Sequence, residues 1–93
     1  KGMNMVRIRH LVLDVLKPHH PDVVEFGCLL AGLGGLQVRV SVIELDARTE
    51  TVRVEVSGDA IDFASVRGAI EGFGASLHSI DEIAVQGADD GSG

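Results

Sequence analysis

The sequence has no Trp, no Tyr, three Phe, two Pro and a single Cys among its 93 residues. One cysteine forms neither an internal disulfide nor a paired-cysteine metal or redox site, and we interpret Cys28 as a small buried hydrophobe rather than a reactive thiol. Because aromatic residues are few, aliphatic side chains must form most of the core. The same scarcity disfavours RNA recognition by base stacking on a sheet.

Positive charge is also scarce, since eight Lys and Arg stand against fourteen Asp and Glu, for a formal net charge of −6. Phosphate binding needs concentrated Lys and Arg, so we expect neither a nucleic acid nor an anionic membrane as partner. No apolar stretch approaches the ~20 residues of a membrane span, and the basic-then-apolar pattern of a signal peptide is missing. We therefore expect a cytoplasmic protein.

Recognisable catalytic motifs are missing as well. The sequence has no Walker loop, no GxGxxG between a strand and a helix, and no nucleophile elbow. We therefore expect no enzymatic activity, and no cofactor is indicated with certainty.

What the sequence does contain is strand-like alternation in several segments. Valines recur at every second position within 36–45 and 51–57, and the polar turn 46–50 between them predicts an antiparallel hairpin. A β-branched run predicts a first strand over 6–16, which Lys17 and Pro18 end because proline donates no ladder hydrogen bond. A last strand is predicted over 75–85.

Two helices are predicted between these strands. The first begins near Pro21 and ends before Gly34 and Gly35. The second follows Asp62, a good N-cap, and ends at Gly74. Its apolar stripe has helical spacing and consists of Phe63, Val66, Ile70 and Phe73.

The order strand, helix, hairpin, helix, strand predicts an α+β fold, a ferredoxin-like βαββαβ sandwich. Its four-stranded antiparallel sheet has the order 4-1-3-2, with both helices on one face. We expect a single domain over 6–86, because a chain of this length supports one core. Residues 1–5 are interpreted as a tag remnant and lead, and 87–93 as a disordered acidic tail.

Three segments resemble an archaeal family, domain-of-unknown-function family 211. They are LVLDVLKPH at 11–19, VSGDAIDF at 56–63 and LHSIDEI at 77–83, and the similarity extends over 6–85. The resemblance implies a ferredoxin-like fold, an archaeal cytoplasmic origin and assembly into closed homo-oligomers. It implies no reaction, because the family's function is uncharacterised.

The last predicted strand alternates imperfectly, since Ile80 has the opposite parity to Leu77 and Ile83. Polar residues interrupt both parities, and antiparallel pairing with the first strand would bring Asp14 and Lys17 toward them. One interpretation is a structural bulge. The other is a polar site formed by the interrupting residues, which are His78, Ser79, Asp81 and Glu82.

A divalent-cation site is the sharpest form of the second interpretation. Asp14, His78 and Asp81 would be its ligands, with carboxylate oxygens favouring Ca²⁺ or Mg²⁺ before a transition metal bound through imidazole. A wider polar site would add Lys17, His19, Ser79 and Glu82.

Three functional hypotheses follow. The first is a homo-oligomeric binding or scaffold module whose partner is itself. The alternative is a regulatory protein that binds a divalent metal or small ligand near Asp14, His78 and Asp81. The remote alternative is a small hydrolase or isomerase with His78 as general base.

Overall fold

A computed structural model describes residues 6–87. The predicted lead at 1–5 and the predicted tail beyond Gly87 lie outside the described residues. The observed order of elements confirms the predicted one. The elements are β1 Arg7–Pro18, α1 Val23–Ala31, β2 Gln37–Leu45, β3 Thr49–Ser57, α2 Phe63–Gly72 and β4 Ser76–Gln86.

The four strands form one antiparallel sheet in the order β2-β3-β1-β4, which is β4-β1-β3-β2 when the sheet is followed from its other edge. The predicted α+β class is confirmed. Strands β1 and β3 lie in the centre, and β2 and β4 form the two edges. No helix in the described part of the chain is long and apolar enough to cross a membrane.

Both helices pack on one face of the sheet, which we call the helix face. Side chains buried in this way contribute about 1.5–3 kcal/mol each, and the Phe26 and Phe73 rings meet edge to face at 5.9 Å. The opposite face has no helix on it and is called the open face. The central core residues of the helix face are Leu11, Leu13, Val15, Val52, Val54, Val56, Phe26, Leu30, Val66 and Ile70.

The helix ends follow the capping chemistry of the sequence. The Asp22 carboxylate accepts a hydrogen bond from the Glu25 amide at 2.8 Å, and Asp62 accepts from the Ser65 amide at 3.4 Å. Gly74 adopts a left-handed φ of 84° after α2, which confirms its predicted role. The first helix is shorter than expected.

Helix α1 ends at Ala31, before the predicted end at Gly34 and Gly35. The Gly32 amide closes the last turn on the Cys28 carbonyl, and the chain then turns through two glycines with positive φ. Leu33 therefore lies beyond the helix and is 41% exposed.

Strand β4 carries two bulges opposite β1. The helix-face residues Val15, Leu13 and Leu11 pair with Leu77, Ile80 and Ile83, which are spaced three apart instead of two. His78 and Asp81 are the extra residues, so each bulge keeps the apolar side chains on the helix face. The bulge interpretation of the imperfect alternation is confirmed.

Candidate functional site

The open face is organised in four rows, each with one residue from every strand. In the order β2, β3, β1, β4 the rows are Gln37–Ser57–His10–Ala84, Arg39–Glu55–Val12–Glu82, Ser41–Arg53–Asp14–Ser79 and Glu44–Thr51–Leu16–Ser76. Charged residues of both signs lie around Val12, which is only 9% exposed although no helix covers it. The open face is therefore a mixed polar surface with an apolar centre.

A first cavity, the His78 cavity, lies at one end of the open face. It has a volume of about 300 Å³ and brings Asp14 of β1 and His78 of β4 together, as the sequence predicted. Glu44 of β2 also lines it and was missed, because the β2 bulge between Val42 and Glu44 changes the parity of the strand. The complete lining is Asp14, Leu16, Glu44, Thr51 and His78.

The third predicted metal ligand, Asp81, does not line this cavity. Its carboxylate accepts a hydrogen bond of 2.7 Å from the hydroxyl of Ser79, two residues earlier in β4. Across residues 6–87, no three His, Cys, Asp or Glu side chains come close enough together to hold one metal ion. The set Asp14, His78 and Asp81 is therefore not assembled within one copy, and a site shared between copies stays a prediction.

The placement of Lys17 beside these polar groups was wrong. Strand β1 continues through Pro18, since a proline at the end of a strand costs only its N–H, and Lys17 shares the parity of the buried Val15. Its ammonium lies on the helix face, 2.7 Å from the Glu50 carboxylate and 5.6 Å from the centre of the Phe26 ring. The side chain is fully buried.

The prediction that His19 belongs to the polar site was also wrong. Its Nε2 lies 2.9 Å from the Asp46 carbonyl oxygen and 3.2 Å from that of Thr49. A protonated Nε2 donates to these acceptors and fastens the first loop to the β2–β3 hairpin. Glu82 is exposed in the open-face row of Val12, away from the His78 cavity.

A second cavity, the His10 cavity, lies at the other end of the open face and was not predicted. It has a volume of about 460 Å³, and within it His10 Nδ1 lies 2.8 Å from the Ser57 hydroxyl. The antiparallel register that pairs these two residues is the only sequence signal that could have located it. The lining residues are His10, Gln37, Val38, Arg39, Glu55 and Ser57.

Cys28 is exposed, so its interpretation as a buried hydrophobe was wrong. It lies two residues from each of the buried Phe26 and Leu30, about 200° around the helix from both. It borders a shallow apolar groove of about 390 Å³ between α1 and β2, which we call the α1–β2 groove. The groove is lined by Val23, Val24, Gly27, Cys28, Ala31, Val38 and Val40.

These features define a small α+β domain with two helices on one sheet face and a polar open face. The sequence model of domain-of-unknown-function family 211, described as "Uncharacterized ArCR", matches residues 9–89. The chain belongs to this family. It is also 40% identical over 77 residues to an uncharacterized protein of the archaeon Methanocaldococcus jannaschii, covering 82% of this chain and 79% of that protein. The resemblance seen in the three sequence segments is thus confirmed.

Proposed function

We propose that the protein is a homo-oligomeric binding or scaffold module rather than an enzyme. The observation that supports this is apolar exposure on both edges of the sheet. Each of the residues concerned is at least 43% exposed in a single copy. They are Val42, Ile43 and Leu45 on β2, and Ile80, Ile83 and Val85 on β4.

An unprotected sheet edge favours pairing with another strand, because its backbone donors and acceptors have no partner within the sheet. Proteins that remain monomeric commonly place Lys or Pro on such edges. Neither β2 nor β4 contains either residue. Pairing with further copies would satisfy the backbone groups and bury the apolar side chains together.

We further propose that the fold is of the ferredoxin-like kind. The βαββαβ order, the two central strands β1 and β3, and the common face of both helices support this assignment. The fold alone assigns no activity, since unrelated functions share it.

Light scattering coupled to gel filtration tests the proposal at micromolar concentration. We expect one species whose mass is a whole multiple of the 9.8 kDa chain. A strictly monomeric protein under these conditions would contradict it.

The second candidate is binding of a divalent cation or small ligand in the His78 cavity. It is supported by two carboxylates and an imidazole, those of Asp14, Glu44 and His78, which line this one cavity. Within residues 6–87 they are not close enough together to hold an ion by themselves, so the candidate needs a further ligand from a small molecule or from a second copy. We expect calorimetric heats with Ca²⁺ or Mg²⁺ that Asp14→Ala abolishes, whereas the exposed Asp59→Ala, on the loop before α2, retains them. Equal titrations for wild type and Asp14→Ala would remove this candidate. The hydrolase or isomerase with His78 as general base stays a prediction.

A further inference from the structure

The His10 cavity has polar walls that all come from one copy of the chain. Its side chains belong to two neighbouring rows of the open face and are contributed by β1, β2 and β3. Val38, which packs against the core, is the only apolar residue that lines it. Its volume of about 460 Å³ lies within the ~300–1,000 Å³ usual for small-molecule sites, but most such sites are lined by apolar side chains. The cavity therefore suits a small and strongly polar ligand.

Two opposite charges line this cavity without being paired to each other. Arg39 of β2 and Glu55 of β3 lie directly opposite in the sheet register and on the same face. Among residues 6–87, the ion pairs are formed by other side chains. Because Arg39 is exposed and Glu55 only partly buried, an ion pair between them would contribute at most about 1 kcal/mol. A ligand that binds both charges thus displaces little existing interaction.

The pair of Ser57 and His10 adds a hydrogen-bond donor beside these charges, whichever tautomer the neutral imidazole adopts. His10 Nδ1 lies 2.8 Å from the Ser57 hydroxyl oxygen. If the hydroxyl donates to Nδ1, the ring carries its proton on Nε2 and can donate from there. If Nδ1 donates instead, the hydroxyl proton is available to a ligand. Gln37, in the same row, offers the N–H groups of its side-chain amide.

A ligand with a single charge is attracted by one of the two charged groups and repelled by the other. An anion is repelled by Glu55, and a cation by Arg39. A small zwitterion satisfies both, since the Cβ atoms of directly opposite residues lie only about 4.5–5.5 Å apart. We infer that the His10 cavity binds a free α-amino acid, with its carboxylate on Arg39 and the neighbouring donors and its ammonium group on Glu55. This goes beyond the proposed homo-oligomer and does not depend on it.

Calorimetric titration of the full chain tests the inference with separate probes. Each standard L-amino acid is titrated, and acetate and methylammonium serve as the two charged groups in isolation. We expect at least one amino acid to bind with a Kd of about 1 mM or lower. Acetate and methylammonium should bind at least tenfold more weakly. The absence of saturable binding for every amino acid would overturn the inference, as would acetate binding as tightly as the best amino acid.

Two charge-neutralising variants distinguish a zwitterion site from a simple anion site. Arg39→Gln should weaken binding of the best amino acid about tenfold or more, the size of a hydrogen bond to a charged group. Glu55→Gln should weaken amino-acid binding by a similar factor but strengthen acetate binding, because it removes the repulsion of an anion. An amino acid that binds Glu55→Gln as tightly as the wild type would contradict the inferred role of that carboxylate.

Arg53→Gln and Glu82→Gln are matched controls for these two variants. Both residues are charged and lie on the open face, but neither lines the His10 cavity. Each control makes the same chemical change and should leave the Kd within twofold. Circular dichroism and light scattering verify that fold and assembly are the same in all four variants. An equal loss of binding in the controls would show a general charge effect of the open face and overturn the inference.

Replacing Ser57 gives a second measurement that leaves the charge of the cavity unchanged. Ser57→Ala should weaken amino-acid binding several-fold, because it removes the hydroxyl that bonds to His10 and with it a donor for the carboxylate. Ser57→Thr retains a hydroxyl and should bind nearly as well as the wild type. Equal binding by Ser57→Ala and the wild type would contradict the inferred position of the carboxylate.

Discussion

At the scale of single residues, Lys17 has the least ordinary environment. It is a lysine at a core position, where its ammonium donates to the Glu50 carboxylate and to the Pro18 carbonyl at 2.8 Å. Within residues 6–87, no buried side-chain nitrogen or oxygen lacks a hydrogen-bond partner. The hydrogen-bonding groups of Lys17 and Glu50 therefore all have partners. Removing either residue would leave the charge of the other buried without its partner.

We expect Lys17→Met to lower the free energy of unfolding by about 3–5 kcal/mol, since it leaves the Glu50 charge buried and unpaired. The double variant Lys17→Met with Glu50→Met should lose less than either single variant, because no charge then remains. Urea unfolding at fixed protein concentration measures all three.

The exposed pair Arg67 and Glu71 on α2 supplies the control. Both side chains are more than half exposed, so Arg67→Met should change stability by at most about 0.5 kcal/mol. If the double variant of Lys17 and Glu50 lost as much free energy of unfolding as the two single variants together, the two residues would not be energetically coupled.

The caps of the two helices are also single-residue features with a defined effect. We expect Asp62→Ala to cost about 1 kcal/mol, because the carboxylate accepts from the Ser65 amide and, at 2.9 Å, from its hydroxyl. Asp62→Asn should retain most of the stability. Thermal unfolding compares them with Asp59→Ala, which lies in the same loop and caps no helix. An equal effect of Asp59→Ala and Asp62→Ala would contradict the capping role.

At the scale of elements, β4 departs most from a regular strand. Its two extra residues, His78 and Asp81, lie opposite no residue of their own in β1. Deleting His78 keeps Ser79 opposite Asp14 and Ile80 opposite Leu13 and only removes the bulge. Deleting a residue from a regular strand instead moves every later side chain to the wrong face.

We therefore expect the protein without His78 to fold, with a loss of at most about 1 kcal/mol, or about 4–8 °C in Tm for a domain of this size. Deletion of Arg53 from β3 is the matched control and should abolish cooperative unfolding, since it turns either Val52 or both Val54 and Val56 from the core toward the open face. Similar behaviour of the two deletions, followed by circular dichroism, would contradict the assigned register.

The elements that could be predicted from the sequence are those in which local pattern and tertiary burial agree. The valines of β2 and β3 and the stripe of α2 are such cases. In β4 the sequence pattern showed a disturbance, but only pairing with β1 shows that two bulges cause it. For Lys17 the residue type suggested a surface position, while strand parity and a partner distant in sequence place it in the core.

The candidate site could be predicted only in part for the same reason. Asp14 and His78 were brought together correctly by assuming that β1 and β4 are antiparallel. Glu44 could not be included, because a bulge in β2 gives no sequence signal. His10 and Ser57 come together through the register of β1 and β3, which follows from the fold rather than from any local motif.

At the scale of the whole molecule, the proposed homo-oligomer couples folding to concentration. Association stabilises only the folded chain, so each tenfold rise in concentration adds up to about 1.4 kcal/mol per chain. We expect the Tm of the wild type to rise by several degrees over each such step. The double variant Ile80→Lys with Ile83→Lys places two charges on the exposed β4 edge and should melt at one temperature throughout.

The reactivity of the exposed Cys28 thiol should depend on the same association equilibrium. Measuring it requires no mutation. Cys28 borders the α1–β2 groove, which lies beside the β2 edge that the proposed homo-oligomer would bury. We expect a maleimide reagent to modify Cys28 slowly in concentrated wild-type protein and several times faster on dilution below the assembly midpoint. The double variant Ile80→Lys with Ile83→Lys should react at the fast rate at every concentration. Fast, concentration-independent modification of an assembled wild type would place the contact between copies away from the α1–β2 groove, because a covered groove leaves the reagent no access to the thiol.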